Sequence, residues 1–184
     1  MLNSIVGLLD AGVAASTNSY ESIATANGTG ASGVITFSSI PSTYKHLQIR
    51  WIDKSTTTGS YNFLRFNSDS GSNYANHYLY GDGASAVSGA DTTQTSINLY
   101  GSLVTSSASN VYAVHVLDIL DYTSVNKNKT IRALGGQDSN GSGIAILTSG
   151  LWMNSSTAIS SLTITANTGS FTTASSFALY GIKG

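Results

Sequence analysis

The chain has no cysteine and a single proline in 184 residues. Without thiols there is no disulfide scaffold, no cysteine–zinc centre and no thiol catalysis. Charge is scarce as well: charged residues make up 9% of the sequence, against roughly 25% in an average soluble domain. Eight basic and nine acidic groups leave a formal net charge of −1. Nucleic acid and anionic membrane surfaces are gripped by clustered basic charge, and the sequence holds no such cluster, so neither is expected as a partner. No Lys or Arg precedes Lys45, so the basic flank of a secretory signal is missing. The first apolar run falls short of the about 20 residues that cross a bilayer, and Asp10 interrupts it.

Ser, Thr, Asn and Gly take the place of the missing charge. The chain still carries 10 Tyr, 5 Phe and 2 Trp, mostly within alternating runs, which argues against disorder. Hydrophobic residues at 41% suffice for a core in a chain of this length. A nearly neutral surface rich in hydroxyl and amide groups suits a protein held in an assembly, since surface charge is what keeps a free monomer soluble.

Residues 1–18 differ from the rest. Leu2, Ile5, Val6, Leu9 and Val13 fall near one stripe at helical spacing, with Asn3, Ser4 and Asp10 elsewhere. They predict a short helical or extended arm that docks on another protein, with packing on the chain's own core as the alternative.

Residues 19–184 read as one domain. Short apolar runs alternate with Gly-, Ser-, Asn- and Asp-rich turns such as Asn27-Gly28, Asp82-Gly83 and Asn140-Gly141. Strands are expected at 20–25, 33–38, 44–53, 61–67, 76–80, 95–99, 111–120, 130–135, 143–152, 160–165 and 175–182. Alternation is strictest at Tyr44–Asp53, where Leu47, Ile49 and Trp51 share one face and His46, Gln48 and Arg50 the other. Val111–Leu120 is apolar on both faces until Asp118, which predicts a central strand. Many short strands with Gly-rich connections and no fixed-period repeat predict an all-β fold, an antiparallel β-sandwich of jelly-roll type.

Chemistry-bearing residues are few. His46, His77 and His115 show no metal-ligand spacing and are expected to be structural. Asp118 and Asp121 bracket a strand end; they form either a carboxylate pair for sugar chemistry or ion-pair partners for residues such as Arg132. Asn67, Asp69 and Asn73 place oxygens around Gly71 as a weak calcium candidate, with a polar hairpin turn as the competing reading. Lys127 and Lys129 read as a solvated loop. Tyr74, Tyr78, Tyr80, Tyr100 and Trp152 either stack on sugar rings or belong to the core or a subunit contact. No nucleophile elbow and no phosphate cradle is present. The expectation is a protein without catalytic residues, resident metal or cofactor.

The strings SIPSTYKHLQIR, LRFNSDSGSNYANHYLYGDG, DILDYTSVNKNKTIRALGG, SGLWMNSSTAISSLTI and FALYGIKG, spread over residues 19–184, resemble a group of tailed-phage proteins frequent among cyanophages and other aquatic phages. The resemblance implies a structural component of the virion: a capsid decoration or cement protein, a head fibre or a tail appendage. It implies other virion proteins as partners and a particle anchor in Leu2, Ile5, Val6, Leu9 and Val13. A homo-oligomer is expected, with a trimer first because heterologous contacts suit local three-fold positions. The alternative is a tail-fibre module that recognises host glycans through Tyr78, Tyr80 and Trp152.

Overall fold

The computed structural model describes residues 19–58, 61–101 and 110–184. Twelve strands and no helix occur among them: β1 (Tyr20–Asn27), β2 (Val34–Phe37), β3 (His46–Asp53), β4 (Tyr61–Phe66), β5 (Tyr74–Gly81), β6 (Ala86–Gln94), β7 (Ile97–Tyr100), β8 (Ala113–Ile119), β9 (Lys129–Asp138), β10 (Gly143–Trp152), β11 (Leu162–Ala166) and β12 (Ser176–Ile182). Arm residues Leu2, Ile5, Val6, Leu9 and Val13 lie outside the described residues.

The strands form two antiparallel sheets packed face to face. The larger has the order β1-β12-β3-β8-β9-β10-β5-β6 and the smaller β2-β11-β4-β7. Setting aside β5, β6, β9 and β10, the other eight strands, renumbered in chain order, pair as 1-8-3-6 and 2-7-4-5. That is the strand order of a jelly roll. The two remaining hairpins leave the chain at different points and meet side by side, where β10 pairs with β5 along its length. They double the width of one sheet only.

Alternation decides which side chains enter the core. Leu47, Ile49 and Trp51 of β3 face the smaller sheet, as do Leu117 and Ile119 of β8 and Phe177 and Leu179 of β12. Leu64 and Phe66 of β4, Ile97 and Leu99 of β7, and Leu162 and Ile164 of β11 meet them from the other sheet in one contiguous cluster. The β9–β10 hairpin closes through Asn140 and Gly141, at φ 55° and 112°. Positive φ at both central residues is the two-residue turn whose twist matches the strands, and Asn-Gly adopts it most readily. At the β5–β6 hairpin, Asp82 Oδ1 accepts the amide N–H groups of Ala84 and Ser85.

The expected strands are present, with one addition. β6, AVSGADTTQ, has no apolar residue larger than Val87 and carries Gly, Asp and Thr. It is an edge strand held by pairing with β5, so its sequence needs little apolar character.

Candidate functional site

Three regions carry the residues that the sequence singled out. At one end of the sandwich, Trp152 is 1% exposed and packs among Phe66 and Tyr74. It is therefore core and cannot stack on a sugar, which corrects its assignment as a glycan contact; Tyr74 is buried in the same way. The Trp152 indole N–H donates to Asp69 Oδ2 at 2.7 Å, and Gly71 N–H donates to Asp69 Oδ1 at 2.8 Å. The indole bond first, and then the Asn73 amide, hold the Asp69 carboxyl below its ordinary range. Asn67 is turned to other partners, accepting from the backbone of Ser160 and Ser161 and donating to Ala158 O. Asp69 and Asn73 thus build a polar turn that caps a buried indole, and the side-chain oxygens of Asp69 and Asn67 are engaged with protein donors. Asp69→Ala leaves that N–H unpaired in the core and is expected to lower stability by about 2 kcal/mol in urea unfolding.

Lys129 is also buried, contrary to the solvated-loop reading. Its Nζ donates to the carbonyls of Lys127 and Asn154 and lies 5.7 Å from the centre of the Trp152 ring. Burial pushes its pKa down. The alternation of β9 holds the signal: Lys129 is in phase with Ile131 and Ala133, which face inward.

In the crease between β7 and the overhanging β5–β6 hairpin, Tyr78 and Tyr80 are half-buried and nearly parallel, with ring centroids 6.2 Å apart. Tyr100 lies 4.5 Å from Tyr78 and 5.3 Å from Tyr61. Asp91 Oδ2 accepts from Tyr100 OH, Asn98 Nδ2 and Asn76 Nδ2 at 2.9 to 3.2 Å.

Asp118 and Asp121 are both engaged in pairs. Asp118 accepts from Gln48 Nε2 at 2.7 Å and Arg132 Nη2 at 3.3 Å; Arg50 Nε in turn donates to Gln48. Arg132 is exposed at the surface. Lys127 and Lys45, each 2.9 Å from Asp121, hold its carboxyl down to about 2. His46 Nδ1 accepts the Asp121 N–H at 3.0 Å, a structural role, while His77 lies exposed on β5.

Asp53 was missed by the sequence reading, and His115 was expected only to be structural. His115, buried, stacks on Trp51 with centroids 4.7 Å apart, and burial holds its pKa down at about 3. Asp53 is fully buried; burial pushes its carboxyl up to about 8, opposed by the Asn62 amide, which donates to Oδ2 at 3.0 Å. A signal for Asp53 existed, because it is in phase with Leu47, Ile49 and Trp51 and so must point inward.

The outer face of the larger sheet holds what the fold leaves uncovered. Register places Val116, Leu134, Leu147 and Leu79 side by side across β8, β9, β10 and β5. They are 38%, 63%, 43% and 53% exposed, and Val114 stands beside them at 55%. Gly136, Ala145 and Gly81 in the adjacent row hollow the surface into a shallow groove. Among the described residues, no group of three or more His, Asp or Glu is placed to hold a metal ion, and no helix is long and apolar enough to cross a membrane. The chain matches no protein-family model and no curated protein.

Proposed function

We propose that the protein is a structural component of a tailed-phage virion, a capsid decoration, cement or head-fibre protein attached to other virion proteins through residues 1–18. The observation that carries this reading is the row of four large apolar side chains on the outer face of a sandwich with few charged residues. Such contiguous apolar surface marks an interaction site on a soluble protein. A jelly roll is suited to the role, because its two stacked sheets present broad faces to neighbours. The sequence resemblance points the same way. Deletion of residues 1–18 is expected to lower incorporation into particles by about tenfold or more, read by quantitative immunoblotting of purified virions. Undiminished incorporation overturns the anchor.

A second reading, glycan recognition by a tail-fibre module, is favoured by one arrangement. The Tyr78–Tyr80 pair beside the Asp91, Asn98 and Tyr100 network combines flat aromatic faces with polar groups, as sugar sites do. Specific signals on a glycan array that vanish in Tyr80→Ala support it. Signals that persist in that variant, or a blank array, reject it.

A further inference from the structure

We infer that the apolar row on the outer face of the larger sheet is the seat for residues 2–13 of a second copy of this chain. The inference rests on the docking role of residues 1–18 and deepens it: the virion protein that they grip is another copy of this chain.

Three observations select this occupant. The first is length. The row from Val116 to Leu79 crosses four neighbouring strands, a width of about 14 Å at the strand spacing. Leu2 to Val13 at helical rise covers about 16 Å, with Ile5, Val6 and Leu9 on the same side.

The second is charge. Asp10 is the one charged side chain in residues 1–18. At 100° per residue it falls at the margin of the stripe, about 80° from Leu2. Arg132 borders the row in the matching place, two residues from Leu134 on β9 and on the same face, with its side chain 73% exposed. Its guanidinium meets Asp118 through Nη2 at 3.3 Å, and the fork carries further N–H donors for a second carboxylate.

The third is reach. Tyr20 opens β1, at the far edge of the same sheet. It lies three strands away and, by the registers through Ile182 and His46, four residues along from the row. That separation is about 19 Å in the plane of the sheet. Residues 14–20 extend to about 24 Å at most. They would also have to climb above the sheet and cross Arg50, which sits over the rings of Tyr20 and Tyr180. A chain covering its own row is therefore stretched nearly straight, whereas a neighbour's segment arrives without that constraint. The contact is head-to-tail, so repetition closes a ring or continues as an array.

The absence of cysteine makes the test direct. Full-length Leu9→Cys and Leu147→Cys chains are mixed and oxidised mildly. The expected product is a mixed disulfide dimer on a non-reducing gel, formed at least tenfold faster than the homodimer of either variant. Absence of the mixed dimer overturns the inference. So does a double variant, Leu9→Cys with Leu147→Cys, that yields only an internally closed monomer. A second arm uses sedimentation. Leu134→Asp, on an exposed position, is expected to leave circular dichroism and thermal midpoint unchanged while weakening self-association at least tenfold. Arg132→Asp is expected to weaken it as well, with recovery when combined with Asp10→Arg. A monomeric wild type, or unchanged association in Leu134→Asp, overturns the seat. These results are separable from the anchor: loss of incorporation on deleting residues 1–18 without any mixed dimer means that the anchor stands and grips another protein.

Discussion

Gly135→Ala is expected to destabilise the sandwich by about 3 kcal/mol, although alanine ordinarily suits a strand better than glycine. A Cβ built on Gly135 falls 1.7 Å from Nδ1 and 2.1 Å from Cε1 of His115. The imidazole has nowhere to retreat, because its ring is stacked on Trp51 at 19° between planes and Trp51 in turn faces Phe177. The missing side chain of Gly135 is thus the space that His115 fills. The mechanism has a specific signature: in a His115→Ala background the Gly135→Ala change is expected to cost less than about 1 kcal/mol. Urea unfolding of the four proteins of this cycle reads the coupling between the sites. Equal costs in the two backgrounds would mean that the glycine serves some other need.

The second large effect concerns pH. Asp53 carries a carboxyl pushed up to about 8 by burial, against 3.8 ordinarily. Between those values the unfolded chain has released a proton that the folded protein keeps. Stability therefore falls as pH rises through this window and levels off above it. His115 acts in the opposite sense. Held down at about 3 against 6.5 ordinarily, it makes stability fall as pH drops through its own window, where the unfolded chain gains a proton that the folded one refuses. The two slopes cancel where the windows overlap, from about pH 4 to 6.5. Above pH 6.5 the Asp53 slope is no longer offset by His115, and stability is expected to decline by about 2 kcal/mol by pH 8, at about 1.4 kcal/mol per unit. Below pH 4, His115 is joined by Asp121, whose ion pairs are lost as its lowered carboxyl is protonated. Asp53→Asn should keep the acid decline and abolish the alkaline one in thermal unfolding from pH 3 to 9. An alkaline decline that survives this substitution would assign it to another group.

Much of the fold was legible because period-two alternation is a local property. Leu47, Ile49 and Trp51 announced an inward face, and Asn140-Gly141 announced a hairpin. The same pattern put β8 at the centre of a sheet, but for only half of the right reason. Its outward valines, Val114 and Val116, are not covered by any of the described residues. What alternation cannot say is which strand lies over which. Lys129 read as a solvated loop, and Trp152 was left between a sugar platform and the core, because their burial depends on Phe66, Tyr74 and Asp69, far away in sequence. β6 escaped notice because pairing alone holds it, and pairing leaves little mark on side-chain composition. Asp53 was within reach, since its phase declared it buried, but a carboxylate ending an apolar run passes easily for the start of a turn.

The two hairpins that widen one sheet have a consequence for how such a protein can diversify. This added wing supplies three of the four residues in the exposed row, Leu79, Leu134 and Leu147, while its opposite side contributes Tyr74, Ile131 and Trp152 to the interior. Adjacent positions on one strand thus answer to different demands, one to the packing beneath and one to whatever docks above. Lineages can rewrite the outward letters and change companions while the inward letters hold the scaffold constant.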